Sequence, residues 1–190
     1  MHILQNRRKA FGIAVPGNFH ASPSSTTAMG LSWTDVSGET GYYIERSADG
    51  SSWSSLITKS ANSTSHSDTG LTPGSTYYYR IAAFNASAQS SWSPTSSSPT
   101  FPDAPGSFTV ATIGGSYLDL TWVDSAGATT YLLERSDDGG SNYFTVATPG
   151  VGVQFFGDTG LTVGETYFYR IYASNSGGTS SAASTSATTV

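Results

Sequence analysis

The stretch DTGLTPGSTYYYRI at residues 68–81 returns at residues 158–171 as DTGLTVGETYFYRI, with three of fourteen letters changed. Working outward from it, the match continues in both directions. Pro16-Gly17-Asn18-Phe19 returns as Pro105-Gly106-Ser107-Phe108, Leu31-Ser32-Trp33-Thr34-Asp35 as Leu120-Thr121-Trp122-Val123-Asp124, and residues 42–47 as residues 131–136, all 89 positions apart. Beyond residue 136 the offset is 90, because DDGGSNY carries one residue more than ADGSSW, at a place where a hairpin loop tolerates insertion. The chain of 190 residues is therefore two copies of one unit of about 90.

Composition says what kind of unit this is. Ser and Thr make up 58 residues, Gly 21, and charged residues only 11%. Thr and aromatic side chains suit a pleated, half-buried surface while Ser and Gly suit turns, so the balance predicts an all-β chain. Within each copy, alternating segments are broken by turn residues every eight to twelve positions, as in a β-sandwich or barrel. GYYIERS, then Asp49-Gly50, then SSWSSLI reads as a hairpin closed by a tight primed turn. In the repeated stretch Tyr77, Tyr79, Ile81 and Ala83 share one face, the expected core side, and Tyr78, Arg80, Ala82 and Phe84 share the other.

Three features occur in order in both copies: Leu-x-Trp at Trp33 and Trp122, the Tyr-x-Ile/Leu-Glu-Arg stretch beginning at Tyr42 and Tyr131, and the Leu-x-x-Gly-x-x-Tyr corner ending at Tyr77 and Tyr167. On these features both units resemble fibronectin type III domains. The resemblance implies two immunoglobulin-like, seven-stranded antiparallel β-sandwiches in tandem. In each, the Trp packs between the sheets and the corner Tyr bonds back to the chain. The units then span residues 16–100 and 105–190, with a Pro-containing linker at 101–104 and an arm at 1–15. Pro99, Pro102 and Pro105 predict a short, semi-rigid joint holding the sandwiches roughly end to end. Val163 stands where the first corner has Pro73, which puts the stiffness of that turn in question.

Charge and cysteine content narrow the functions. Net charge is −5, but Arg7, Arg8 and Lys9 give the arm +3 and leave −8 on the remainder. Such a body repels nucleic acid and anionic lipid, so no nucleic-acid partner and no membrane insertion are expected. There is no cysteine, hence neither a disulfide nor a thiolate metal site. The longest apolar run near the start, residues 11–15, is far short of a membrane span or the core of a secretion signal.

Reactive groups do not converge. Ser65-His66-Ser67-Asp68 holds the residue types of a triad, yet neighbours on a strand point to alternate faces, and the second copy has no His. Asp137-Asp138 near Asn142 offers oxygen ligands but in the pattern of ordinary turn chemistry, so neither a catalytic nor a metal site is assigned and no cofactor is implied. Asp68 and Asp158, ahead of Thr-Gly-Leu, read as turn caps. Asn62-Ser63-Thr64 and Asn85-Ala86-Ser87 satisfy the N-glycosylation pattern.

A contact face is the better candidate: Tyr43, Glu45, Tyr78 and Arg80 in the first unit, and Leu132, Glu134, Phe168, Arg170 and Tyr172 in the second. The resemblance implies that the third and sixth strands are neighbours, pairing Glu45 with Arg80 and Glu134 with Arg170 as exposed ion pairs. Flat aromatic faces with arginine suit protein surfaces and sugar rings. The arm contributes Ile3, Leu4, Phe11, Ile13 and Val15 as apolar residues around Arg7, Arg8 and Lys9. It reads as an assembly segment that docks on another subunit, as one that folds back on its own first sandwich, or as sequence foreign to the protein.

The family's Arg-Gly-Asp is missing, and the Ser/Thr-rich, lysine-poor style resembles fibronectin-like modules of bacterial secreted proteins and phage particles. The leading expectation is a non-catalytic structural or adhesive protein, extracellular or on a virion surface, whose two rod-like modules are anchored by the arm and whose partners are other protein subunits, with surface glycans next. The initial Met with no signal behind it weighs toward this reading, with release by lysis as one route. The alternative is a carbohydrate-binding or spacer module of a larger secreted polysaccharide-degrading enzyme. A receptor-like signalling module ranks third.

Overall fold

The computed structural model describes residues 12–190, so Ile3, Leu4, Arg7, Arg8, Lys9 and Phe11 of the arm lie outside the described residues. Ile13 is half-buried and Val15 exposed. All regular secondary structure among the described residues is β-strand. No helix there is long and apolar enough to cross a membrane.

The first repeat forms β1 (Gly17–Pro23), β2 (Ala28–Thr34), β3 (Gly41–Ser47), β4 (Ser54–Ser60), β5 (Ser65–Thr69), β6 (Thr76–Phe84) and β7 (Ser96–Pro99). They make a small sheet ordered β1-β2-β5 and a larger one ordered β4-β3-β6-β7. The second repeat forms β8 (Gly106–Gly114), β9 (Tyr117–Val123), β10 (Thr130–Ser136), β11 (Phe144–Ala147), β12 (Phe155–Thr159), β13 (Thr166–Asn175), β14 (Gly178–Thr179) and β15 (Ala183–Thr188). Its small sheet is ordered β12-β9-β8, and its larger one β11-β10-β13-β14, with β15 also on β13. The last strand is interrupted for a local reason: Ser180 Oγ accepts the Ala173 N–H and donates to the Ser181 carbonyl, bending the chain between β14 and β15. Ser90 does the same against Ala83 and Ser91 in the first repeat.

Alternation along the strands selects the cores. Met29, Leu31 and Trp33 of β2 meet Tyr42 and Ile44 of β3, Leu71, and Tyr79, Ile81 and Ala83 of β6. Leu118, Leu120, Trp122, Tyr131, Leu133, Leu161, Tyr167, Tyr169, Ile171 and Ala173 form the second core. Each Trp leans on the tyrosine in second place on the next strand, Trp33 on Tyr42 at 5.5 Å and Trp122 on Tyr131 at 6.2 Å. Tyr77 is only half-buried, whereas its counterpart Tyr167 is buried and its hydroxyl accepts the Thr162 N–H at 2.9 Å, closing the corner.

The hairpin departs from the expected tight turn. β3 and β4 do pair antiparallel, but six residues separate them, and only Gly50 of the Asp49-Gly50 pair has positive φ (73°). Both primed turns need positive φ at the first central residue, which Asp49 does not supply. Instead, the Asp49 carboxylate accepts the N–H groups of Ser52 and Ser51, and Ser47 Oγ accepts those of Asp49 and Gly50. Asp138 and Ser136 organise the longer second loop alike, through the Asn142, Ser141 and Gly140 N–H groups. Those donors hold both carboxyls well below the usual carboxylate range.

Candidate functional site

The outward faces of the two larger sheets carry the polar and aromatic groups singled out in the sequence. In the first repeat the register of β3 and β6 sets Glu45 opposite Arg80. Arg80 Nε and Nη2 donate to Glu45 Oε2 at 2.8 and 2.6 Å. The guanidinium also lies 4.3 Å from the Trp53 ring centroid and 4.6 Å from that of Trp92. A weakly hydrated planar cation is well matched to such rings, and their cover strengthens the ion pair by excluding water. Beside this cluster Tyr43 stacks on Phe84, with centroids 4.2 Å apart and planes 16° from parallel. Gly41 makes room for it, since a Cβ there would stand 2.8 Å from the Phe84 ring.

The second repeat builds the same site from other rings. Glu134 faces Arg170 in register, and Arg170 Nε donates to Glu134 Oε2 at 2.5 Å. That bond raises the Arg170 pKa above its ordinary value. The Tyr143 centroid lies 3.9 Å from the guanidinium and that of Tyr172 5.6 Å. Leu132 pairs with Tyr172 across β10 and β13, and Phe168 packs near the loop glycine Gly140. Tyr78 holds the equivalent place against Gly50.

These ion pairs are not the exposed pairs expected from sequence. The Arg80 and Glu45 side chains are 25% and 22% exposed, those of Arg170 and Glu134 33% and 15%. The cause is the surrounding aromatic cover. Ala82, on the same outward side, is fully buried. Tyr43, at 37%, is the member of the face most open to solvent. Sequence reasoning missed Trp53, Trp92 and Tyr143. Trp53 and Tyr143 sit 90 positions apart and were detectable as an aromatic repeated at the hairpin, while Trp92 has Ala182 at its counterpart and left no such trace.

A second polar cluster corrects the reading of Asp158. It is not a turn cap but a buried member of β12, where Arg135 Nη1 donates to both of its oxygens at 3.0 and 2.9 Å and the Tyr169 hydroxyl donates at 2.7 Å. Arg135 also reaches Asp137 at 2.8 Å and lies over Phe144 and Tyr167. Burial first, and then Asp158, raises the Tyr169 pKa above the ordinary phenol value. Asp68 is likewise buried, in β5. Every titratable group of this cluster is engaged in packing, which gives it a structural part.

The remaining candidates are quickly placed. His66 and Asp68 sit on β5 with Asp68 inward. Among the described residues no group of three or more His, Cys, Asp or Glu is placed to hold a metal ion. Asn85 Nδ2 donates to the Gly38 carbonyl at 2.9 Å, so a glycan there would have to break that bond; Asn62 is exposed.

Comparison with known proteins agrees with this geometry. Residues 14–98 match the fibronectin type III domain family. A two fibronectin type III domain segment from chicken tenascin is similar over 92% of this chain and 99% of its own, at 17% identity and a TM-score of 0.59. The chicken CNTN1 FN1–FN3 domains are similar over 94% of this chain and 66% of theirs, at 16% identity and a TM-score of 0.50. At such identities the likeness is one of fold. Residues 14–98 thus match the fibronectin type III domain family, the second repeat carries the same sandwich, and the chain is two such sandwiches in tandem.

Proposed function

We propose that the chain is a non-catalytic structural or adhesive element, displayed on the exterior of a virus particle, filament or cell and held to other protein subunits by its N-terminal arm, residues 1–15. Fibronectin type III domains commonly serve as structural and adhesive modules and are often extracellular. The observation that carries the reading is the division of charge, +3 on the arm against −8 on everything after it. An arm of that sign, with Ile3 and Leu4 ahead of its basic residues, is suited to bind a neighbouring copy by attraction and strand addition. Light scattering after size exclusion tests this. The full chain should associate with rising concentration and lose that association when residues 1–15 are deleted; a full chain that stays monomeric overturns it.

A second reading, sugar binding, has one observation in its favour. Tyr43 presents an open ring held flat by Phe84, the geometry that stacks on a pyranose face. A glycan array probed with the full chain should then light up and go dark for Tyr43→Ala, and uniform silence removes the idea.

A further inference from the structure

The outward face of the second small sheet gathers several exposed apolar side chains. Along β9, Tyr117, Asp119, Thr121 and Val123 share one side, and the register puts Thr121 beside Phe155 and Asp119 beside Gly157 of β12. Gln154 accepts the Trp122 N–H, which brings Val153 next to Val123. Phe155 is 51% exposed, Val153 48% and Val123 51%. The Tyr117 ring lies over Gly157, where a Cβ would stand 2.5 Å from its hydroxyl oxygen. The result is a strip of exposed apolar side chains, with Thr121 and Asp119 set among them, ending at the edge strand β12. The first repeat has Thr34, Ser63 and Ser65 at the three equivalent positions.

Acids accompany the strip. Asp119 lies within it, hydrogen-bonded to Tyr117, and its Oδ1 is buried there without a hydrogen-bond partner. Asp124 adjoins Val123 and accepts the Gly152 N–H at 2.8 Å. Residues 105–190 hold seven acids against two arginines, a net −5, whereas residues 16–104 hold six acids against three bases. A second copy of the same face would bring like charges together and is disfavoured. The strip fits an extended segment with apolar side chains and several cations. The chain itself has one such segment, residues 2–11, with Ile3, Leu4 and Phe11 around Arg7, Arg8 and Lys9.

We infer that the apolar strip of β9 and β12 is the acceptor for the N-terminal arm of a neighbouring copy. The arm adds along the open edge of β12, its apolar side chains cover Val153 and Phe155, and its cations face Asp119 and Asp124. Edge strands in stable proteins are usually shielded by charge or proline, and β12 offers aromatic residues at that place instead. This inference rests on the assembly reading and names the surface that reading leaves open.

The test uses the full chain. Installing the first repeat's residues, Val123→Thr, Val153→Ser and Phe155→Ser together, is expected to weaken association at least tenfold and to leave the far-ultraviolet spectrum and melting transition in place. Association should fall steeply with salt. In a mixture of 14N- and 15N-labelled wild-type chains, zero-length carbodiimide coupling should join Lys9 of one isotope to Asp119 or Asp124 of the other. Two outcomes overturn the inference and leave assembly standing: association that persists in the triple variant yet disappears on deletion of residues 1–15, or Lys9 adducts that avoid the second repeat or stay within one isotope. A wild-type chain that never associates overturns the assembly reading itself, and the acceptor assignment with it.

Discussion

Position for position the interiors of the two repeats are nearly interchangeable, whereas the outward faces of their small sheets are not. Trp33 and Trp122, Tyr42 and Tyr131, Tyr79 and Tyr169, Ile81 and Ile171 occupy matching buried places. Outside, Thr34, Ser63 and Ser65 of the first repeat give way to Val123, Val153 and Phe155 of the second. Cores packed to crystal-like density tolerate little change, and a duplicated sandwich keeps its inner side chains for that reason. Outer faces have no such constraint, so a cluster of large apolar side chains there marks a divergence that packing does not demand.

The most damaging way to test this likeness is to empty the cores. Trp33→Ala and Trp122→Ala should each cost roughly 3–5 kcal/mol and unfold the repeat that carries them. Chemical denaturation followed by circular dichroism reads this out, and a loss in one repeat much smaller than in the other would break the equivalence of the interiors.

Next in size is the buried cluster. Asp158→Ala leaves Arg135 with Asp137 alone and takes the acceptor from Tyr169, so a loss of about 3 kcal/mol is expected. Asp68→Ala, at the matching buried strand position, should fall within about 1 kcal/mol of it. The same cluster predicts a pH effect. The Tyr169 pKa is raised on folding, so its contribution is complete below the unfolded-state value of about 10 and is lost as pH rises above it. Melting temperatures taken from neutral to strongly alkaline pH should decline less steeply for Tyr169→Phe than for wild type.

A smaller difference separates the two outer faces. Arg80 sits against two indole rings and Arg170 against one near and one distant phenol ring, so Arg80→Ala should cost about 2 kcal/mol and Arg170→Ala about 1. Equal values would show that the rings add nothing to the ion pairs. Smallest is the corner: Val163→Pro, copying Pro73, should stabilise the second repeat by about 0.5 kcal/mol through the unfolded chain.

Much of this was legible in the sequence because repetition and alternation survive in the letters. The repeat and the strand faces follow from period-two patterning, and the inward tryptophans and the Glu45–Arg80 and Glu134–Arg170 pairings from the strand order that the resemblance to fibronectin type III domains implied. What escaped depends on distances between elements far apart in the chain. Nothing local to Asp158 announces that Arg135 and Tyr169 converge on it, and nothing local to Trp92 places it over Arg80. The tight turn at Asp49-Gly50 misled because the dipeptide is compatible with several loops, and the serines around it chose another.

Those serine and aspartate loops have a consequence of their own. Each is ordered by backbone N–H groups that donate to a single carboxylate and hydroxyl just ahead of them, while its Trp53 or Tyr143 reaches out over an arginine of the sheet. One repeat accommodates an additional residue there, and the strand pairing beyond it resumes in the same alignment. That connection is therefore a natural place to lengthen, decorate or recode the molecule while leaving both of its interiors undisturbed.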